Sequence, residues 1–230
     1  MSRFTTILWD VDGTLLDFLY SQRYALTKCF HTAGLEITEE QIERYSQINE
    51  SFWKRHELGL IKKEELLAGR FIQLFGEYDI RDIDVKAFLK EFQEALGSVF
   101  SHKDDSLTIC KTLMGHVSQY VVTNGVSFTQ RNKLKLSGLA EAMDGIFVSE
   151  EVGSPKPGKA FFDHCLKHVA ERDISKILIV GDSLSSDIKG GVQAGIATCW
   201  YRPEGTENPT DLRPDYEISD LHMIYDILGV

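Results

Sequence analysis

The sequence lacks the features that mark secreted, membrane-spanning and nucleic-acid-binding proteins. Its four cysteines are widely spaced and form no Cys-x-x-Cys pair, so we expect free, mostly buried thiols and no disulfide framework. No apolar run approaches the roughly 20 residues of a membrane span. Asp10 and Asp12 interrupt the N-terminal segment where a signal peptide would need a continuous apolar stretch. We therefore expect a cytoplasmic protein that is not bound to a membrane.

Basic residues are also scarce. Lys and Arg number 25 against 35 Asp and Glu, which gives a formal net charge of -10. Because a nucleic-acid backbone requires a basic stripe for neutralisation, and none is present, we expect no nucleic-acid polymer as partner. The 230 residues are 43% hydrophobic, enough to bury one core and to carry an insert. A small phosphorylated metabolite remains a suitable partner, and we expect a monomer or a homodimer.

The most informative segment that is present begins at Asp10, where two carboxylates stand two residues apart. Residues 4–9 predict a short buried strand, because they are mostly apolar, aromatic or β-branched. Gly13 and Thr14 then predict a turn whose N–H groups can face an anion. Asp10 and Asp12 would therefore lie at the carboxyl end of a strand, the edge where open parallel sheets bind ligands. This is the layout of an aspartate nucleophile with its own proton donor.

A second segment has the same form. Residues 119–123 predict a strand that ends in the hydroxyl of Thr123, followed by Asn124, Gly125 and a helix that begins near Ser127. The side chains would offer neutral hydrogen-bond donors to phosphoryl oxygens. A Thr-Asn-Gly sequence by itself is more often only a turn, and its place after a predicted strand is what favours a binding site.

Two further segments add one cation and two carboxylates. Lys156 lies between two prolines, where a helix is disfavoured, just before a predicted helix over residues 158–169. Residues 176–180 predict another apolar strand, which runs into a glycine, Asp182 and, five residues later, Asp187. The same sheet edge would therefore hold a fixed positive charge and two more acids.

The four predicted strand ends bring Asp10, Asp12, Asp182 and Asp187 together. Burying that many carboxylates is unfavourable unless a cation neutralises them. Oxygen ligands without a nearby histidine or cysteine favour Mg²⁺ over zinc or copper. An Asp-x-Asp-Gly sequence is also compatible with a calcium loop, but Leu15 follows at once where such a loop would continue with further ligands. The pattern predicts a magnesium-dependent phosphoryl-transfer site.

The chain resembles the haloacid dehalogenase-type phosphatase superfamily over nearly its whole length. The four motifs of that superfamily match, in order, the segment from Asp10, Thr123, Lys156 and residues 181–187. Within it, residues 122–125, 147–150, 181–184 and 186–191 look like the pyrimidine 5′-nucleotidase branch. Residues of the insert that look like the same branch are Asn49, Trp53, Gly59, Glu65, Leu66, Arg70 and Phe71.

The resemblance implies a role for each motif residue. Asp10 would attack phosphorus, since an ordinary carboxylate is ionised at neutral pH. Magnesium would be held by the Asp10 and Asp182 carboxylates and the Asp12 backbone carbonyl. Asp187 would be the fourth residue of the metal site, where it would orient Lys156 or a metal-bound water. Asp12 would serve as the acid and then the base. The remaining two catalytic residues, which would stabilise the equatorial oxygens, are Lys156 and Thr123.

The order of predicted elements indicates an α/β fold with a Rossmann-like parallel sheet core and an inserted α-helical cap. Helical patterns cover residues 17–33, 39–58, 62–75 and 84–96, with little strand signal between them. Helix and strand patterns then alternate, with further strands at 145–148, 197–201 and 216–218, which is typical of a parallel sheet. We expect residues 1–16 and 101–230 to form the catalytic core, residues 17–100 the cap, and residues 202–214 a surface loop.

The cap would select the substrate, and here the sequence leaves alternatives open. Phe18, Phe52 and Trp53 are candidate stacking surfaces for a base, although cap aromatics more often pack. The resemblance indicates a nucleoside monophosphate. The alternatives are a sugar-phosphate phosphatase, a phosphomutase and a non-catalytic binding module, while a dehalogenase is disfavoured because it lacks an acid at position 12. His164 and His168 have a metal-chelating spacing that also arises by chance on helices.

Overall fold

The computed structural model describes residues 3–202 and 207–230, and the chain divides into two compact units. One unit comprises Met1–Phe18 and Phe100–Val230, and the other comprises Leu19–Val99. We call the first the core unit and the second the helical unit. Part of the predicted loop over residues 202–214, namely residues 203–206, lies outside the described residues.

The core unit contains a six-stranded sheet in which every neighbouring pair is parallel. The strand order is β3-β2-β1-β4-β5-β6, so β1 lies in the interior of the sheet. The strands are β1 (Thr6–Trp9), β2 (Ser118–Thr123), β3 (Gly145–Val148), β4 (Ile177–Gly181), β5 (Ala197–Tyr201) and β6 (Tyr216–Ile218). The predicted Rossmann-like parallel sheet is confirmed.

Both faces of this sheet are covered, which explains why its interior strands are almost continuously apolar. Alternate residues enter different hydrophobic clusters: Ile7 and Trp9 belong to one cluster and Leu8 to the other. β1 begins at Thr6, two residues after the predicted start, and β4 is displaced by one residue from its predicted bounds. All four cysteines are free and buried, as expected.

Short helices surround the sheet in the core unit. They are α5 (Ser106–Leu113), α6 (Ser127–Leu136), α7 (Ser149–Val152), α8 (Lys159–His168), α9 (Lys189–Ala194) and α10 (Ile224–Leu228). A π-helical turn over Leu184–Ile188, which the sequence did not predict, precedes α9. Such turns insert one extra residue into a helical path and recur at functional sites.

The helical unit consists of long amphipathic helices. They are α1 (Phe18–Thr32, of which Phe18 is assigned to the core unit), α2 (Glu39–Glu57), α3 (Lys63–Glu77) and α4 (Val85–Leu96). A capping box between Thr38 and Gln41 starts α2, and the Asp84 side chain accepts from two backbone N–H groups at the start of α4. Aromatic rings dominate the interior of this unit, with Phe71 in edge contact with Phe88 and Phe92.

The two chain segments that lead into and out of the helical unit pair with each other. Leu16 and His102 form an antiparallel bridge. On either side of it, the Asp17 N–H donates to the Ser101 carbonyl (2.8 Å) and the Lys103 N–H donates to the Leu15 carbonyl (3.0 Å). The insertion therefore leaves and rejoins the core unit at one point. Throughout the described ranges, every helix is too short or too polar to cross a lipid bilayer.

Candidate active site

Asp10 is the first residue after β1, in the interior of the sheet. Trp9 is in register with Val121 of β2 and Val180 of β4, so Asp10 follows at the carboxyl edge of both neighbours. The Asp10 N–H donates to the Val180 carbonyl at 2.9 Å, which continues the strand pairing into the site. The residue is only 8% exposed. A carboxylate is thus fixed at the sheet edge where ligands bind.

The segment after Asp10 forms a tight turn. Gly13 has a φ of 96°, and a Cβ at that position would overlap the Asp182 carboxylate, so glycine is required there for two reasons. The N–H groups of Gly13 and Thr14 donate within the turn, to Leu16 (2.9 Å) and Val11 (3.3 Å). The expectation that these N–H groups face an anion is therefore not met, because the turn itself uses them.

The hydroxyl of Thr14 points back to the same carboxylate. Its Oγ1 donates to Asp10 Oδ2 at 3.3 Å, and Thr14 is fully buried. Thr14 thereby orients one oxygen of Asp10, and a contact of Thr14 or Gly13 with substrate stays a prediction.

Lys156 is buried at the centre of the site. Its Nζ donates to Asp10 Oδ1 (2.8 Å), to Asp187 Oδ1 (2.6 Å) and to the Val122 carbonyl (2.8 Å). Burial alone would lower the pKa of Lys156, but the charges of Asp10 and Asp187 outweigh that effect and raise it. Two carboxylates and a backbone carbonyl therefore hold the Lys156 ammonium in place.

The second segment holds Lys156 through its backbone. The Asn124 side chain donates to the Lys156 carbonyl (2.9 Å) and accepts from the Lys156 N–H (2.8 Å). The Thr123 hydroxyl accepts from the Gly125 N–H at 3.1 Å, and Thr123 is buried at the end of β2. The Lys156–Pro157 peptide bond is cis. Asn124 therefore fixes the lysine segment, a contact that spacing in the sequence did not indicate.

The fourth segment contributes two acids with different surroundings. Asp187 lies in the π-helical turn, where its Oδ2 accepts from the Ser183 N–H at 3.1 Å while Oδ1 binds Lys156. Asp182 has an exposed side, and its backbone carbonyl accepts from Trp200 Nε1 at 2.8 Å. The turn thus directs Asp187 inward to the lysine and leaves Asp182 accessible.

Asp10, Asp182 and Asp187 form a group that could hold a metal ion. Each offers a carboxylate oxygen, and these oxygens lie within 4.8 Å of one another. Burial raises the pKa of Asp10 to about 7, with Lys156 opposing and Asp187 adding to the rise. Desolvation of the carboxyl by the surrounding protein, followed by the charges of Asp10 and Asp187, raises the pKa of Asp182 well above its ordinary value. A divalent cation would relieve this crowding, and an all-oxygen donor set suits Mg²⁺.

The Asp12 side chain lies apart from that group and contacts α6 instead. Its Oδ1 accepts from Lys133 Nζ at 2.6 Å and its Oδ2 accepts from Gln130 Nε2. Lys133 Nζ also lies 5.7 Å from the centre of the Phe18 ring. Both α6 side chains are buried. The sequence did not single out Gln130 or Lys133, although their spacing of three residues puts them on one helix face.

The other predicted residues lie on helices α2 and α8. Phe52 and Trp53 belong to the helical unit, where Phe52 packs against Gly69 and the Trp53 ring is 6.0 Å from the His56 ring. His164 and His168 stack on each other at 4.2 Å on α8. Among the described residues, the side chains that could together hold a metal ion are Asp10, Asp182 and Asp187, and the two histidines do not belong to this group.

Comparisons with known proteins agree with this geometry. A family model for haloacid dehalogenase-like hydrolases matches residues 4–195. The chain is 35% identical over 230 residues to the HAD-hydrolase YfnB of Bacillus subtilis, covering 100% of this chain and 97% of YfnB. A crystal structure of YfnB bound to magnesium superposes with a TM-score of 0.93 at 34% identity, covering 99% of this chain and 100% of that one.

Two further relatives are pyrimidine 5′-nucleotidases. The chain is 30% identical over 222 residues to YjjG of Escherichia coli, with 96% of each chain covered. It is 33% identical over 225 residues to PynA of Streptococcus pneumoniae, with 96% of this chain and 94% of PynA covered.

Proposed function

The chain belongs to the haloacid dehalogenase-like hydrolases, and we propose that within this family it is a magnesium-dependent phosphatase of nucleoside 5′-monophosphates with pyrimidine bases. The observation that carries the proposal is the pairing of Asp10 with the buried Lys156 at the carboxyl edge of β1, with a second acid, Asp12, two residues away. The two pyrimidine 5′-nucleotidases that match over nearly their whole length support the substrate class.

The proposed reaction proceeds in two displacements. A carboxylate oxygen of Asp10 attacks phosphorus, the bond from phosphorus to the ester oxygen breaks, and Asp12 donates a proton to the leaving oxygen. Water then attacks the aspartyl-phosphate and gives its proton to Asp12, which releases inorganic phosphate and restores the Asp10 carboxylate. Asp12 acts as acid and then as base, so its proton is returned at the end of the cycle.

The neutral and positive groups around Asp10 stabilise the transferred phosphoryl group. Lys156 supplies a fixed ammonium, and Thr123 supplies a hydroxyl at the end of the neighbouring strand. Asn124 and Gly125 complete this side of the site, with Asn124 holding the backbone of Lys156. These groups are positioned before substrate binds, so little reorganisation accompanies the reaction.

The aspartate group fits a magnesium ion. The carboxylates of Asp10 and Asp182 and the backbone carbonyl of Asp12 would hold it, while Asp187 holds Lys156. When bound, magnesium supplies positive charge that offsets the carboxylates and the phosphoryl oxygens. The raised pKa values of Asp10 and Asp182 support this assignment, because they arise first from desolvation of the carboxyls and then from neighbouring negative charge, both of which a bound cation would offset.

We further propose that the helical segment, residues 17–100, is a cap that selects the substrate. Phe18 and Trp53 are the proposed contacts for the base, and Gly13 and Thr14 are proposed to shape the phosphoryl side of the site through the turn that holds Asp10. The aromatic character of Phe18 and Trp53 suits a planar base, and Phe18 is half-buried in the core unit.

Phosphate release from nucleoside monophosphates and sugar phosphates, with and without magnesium, tests the proposal. We expect magnesium-dependent turnover that favours pyrimidine monophosphates, and Asp10→Asn should abolish it without unfolding the protein. Asp12→Asn should still form the aspartyl-phosphate from a nitrophenyl ester, whose leaving group needs no proton, and so release a measurable burst of nitrophenol, but it should not form the aspartyl-phosphate from nucleotides.

Three results would contradict parts of the proposal. A preference for sugar phosphates would keep the chemistry and remove the nucleotide assignment. Recovery of an isomerised sugar phosphate would indicate a phosphomutase. No turnover of either class, together with no magnesium binding by calorimetry, would indicate a binding module.

A further inference from the structure

We propose that Lys133 and Gln130 are positioning residues that hold the Asp12 carboxylate in place for proton transfer. The inference rests on the proposed function, since it assigns a task to residues that contact the proposed acid and base. Lys133 Nζ donates to one oxygen of Asp12 at 2.6 Å, and Gln130 Nε2 donates to the other. With both oxygens held, rotation of the carboxylate is restricted.

The surroundings of Gln130 indicate that its amide is directed at Asp12. Its Oε1 is buried and has no hydrogen-bond partner within the described part of the chain, an unfavourable arrangement for an amide placed only for packing. A Cβ at position 125 would overlap the Gln130 amide, so Gly125 leaves the space that Gln130 occupies. The glycine of the second motif therefore allows Gln130 to reach Asp12.

Lys133 is fully buried, and in the residues that the structure describes its carboxylate partner is Asp12. A buried ammonium requires such a partner, which on its own would be a purely structural need. Asp12, however, is partly exposed, with 24% of its side chain accessible. The lysine is therefore more deeply buried than the carboxylate it binds, and its Nζ also lies over the Phe18 ring.

The acids of the site therefore bind two different lysines. Lys156 binds Asp10 and Asp187, which belong to the metal-capable group, whereas Lys133 binds Asp12, whose side chain is outside it. Without the α6 contacts, the Asp12 carboxylate would be free to turn toward a cation and become a ligand. Gln130 and Lys133 thus hold the Asp12 side chain outside the metal-capable group.

The test compares Lys133→Met and Gln130→Met with wild type on a nitrophenyl ester and on uridine monophosphate. The ratio kcat/KM reports formation of the aspartyl-phosphate, the step in which a poor leaving group needs the acid. For uridine monophosphate we expect kcat/KM to fall about 10- to 100-fold with Lys133→Met and about tenfold with Gln130→Met. For the nitrophenyl ester we expect a fall of about threefold or less.

A double substitution separates positioning from general damage. If Lys133 acts through Asp12, adding Lys133→Met to Asp12→Asn should not slow the burst of nitrophenol from the nitrophenyl ester further. Lys135→Met is the matched control, because Lys135 is exposed on the same helix and loses the same charge. It should match wild type on both esters.

Each remaining outcome has a definite meaning. Equal losses on both esters, further loss in the Asp12→Asn background, or no loss from either single variant would overturn the inference. If Lys133→Met does not fold, judged by its thermal melting, Gln130→Met carries the same comparison. Failure of wild type to hydrolyse either ester would instead refute the proposed function.

Discussion

The two units each bury a cation, and they stabilise it differently. In the core unit, Lys156 lies between the carboxylates of Asp10 and Asp187. In the helical unit, Arg70 is 2% exposed and its Nη1 donates to the amide oxygen of Asn49 at 2.6 Å. Across the described residues, no carboxylate pairs with this guanidinium.

Aromatic faces take the place of carboxylates around Arg70. Its guanidinium carbon lies 5.3 Å from the ring centres of Phe71 and Phe92 and 5.8 Å from that of Tyr45. Burial lowers the pKa of Arg70, with the Tyr45 hydroxyl acting weakly in the other direction. A buried charge is therefore neutralised by carboxylates in one unit and packed against aromatic rings in the other.

The largest expected effect tests the core side of this comparison. Lys156→Met would leave Asp10 and Asp187 close together without their shared cation, so it should abolish turnover and lower the free energy of unfolding by about 3–5 kcal/mol. Urea unfolding in metal-free buffer and phosphate release measure the two effects. Retained turnover would show that the lysine is not needed for the chemistry.

Replacing the buried cation of the helical unit should lower the free energy of unfolding more than it lowers turnover. Arg70→Met removes the contacts with three rings and leaves the Asn49 oxygen unpaired, and should cost about 1–3 kcal/mol of unfolding free energy. Turnover of a nitrophenyl ester should stay within about threefold of wild type. Arg44→Met, which breaks an ion pair with Glu77 at the surface of the same unit, is the control and should cost less than about 1 kcal/mol. A loss of turnover as large as that of Lys156→Met would contradict the comparison.

The third prediction concerns pH. The pKa of Asp10 is raised from 3.8 to about 7 in the folded chain, so the folded state binds the proton of this carboxyl more tightly than the unfolded state does. The free energy of unfolding without metal should therefore fall as pH rises from about 4 to above 7. Asp10→Asn removes that penalty, so it should raise unfolding free energy by about 1–2 kcal/mol near pH 8 and not near pH 4. Urea unfolding at both pH values, with a chelator, measures this. A gain that is independent of pH would contradict the ionisation argument.

The smallest expected effect concerns the Asp182 backbone. Trp200→Phe removes the hydrogen bond to the Asp182 carbonyl and should weaken the apparent magnesium affinity about three- to tenfold. Tyr201→Phe, the next residue of β5, loses a hydrogen bond to Asp104 and is the matched control. Magnesium titrations of phosphate release measure both variants. An equal shift in the two would indicate general weakening of β5.

The sequence predicted the fold and the positions of the motif residues because both depend on short local patterns. Asp10 and Asp182 each follow an apolar run, and the edges of those runs were misplaced by only one or two residues. The confirmed parts are the family, the parallel sheet and the hydrolase class. Cap bounds and residue roles stay predictions.

The α6 contacts could not be predicted from hydrophobic periodicity, because this helix buries its polar side. Gln130 and Lys133 are 1% and 0% exposed, whereas Phe128 and Leu136 are 61% and 50% exposed. A hydrophobic pattern would place the opposite face inward. Arg70 was noted only for its resemblance to a family pattern, and its burial depends on ring contacts between helices that are distant in sequence.

The antiparallel bridge between Leu16 and His102 has a consequence for how such proteins diversify. Since the segments that enter and leave the insertion are hydrogen-bonded to each other, the sequence between them can be replaced as one contiguous piece. A recombinant chain that keeps residues 15–17 and 101–103 would preserve the two backbone hydrogen bonds of this bridge while receiving a different insert. Under the proposed role of the insert as a substrate-selecting cap, transplanting this one contiguous stretch of sequence should change the substrate range.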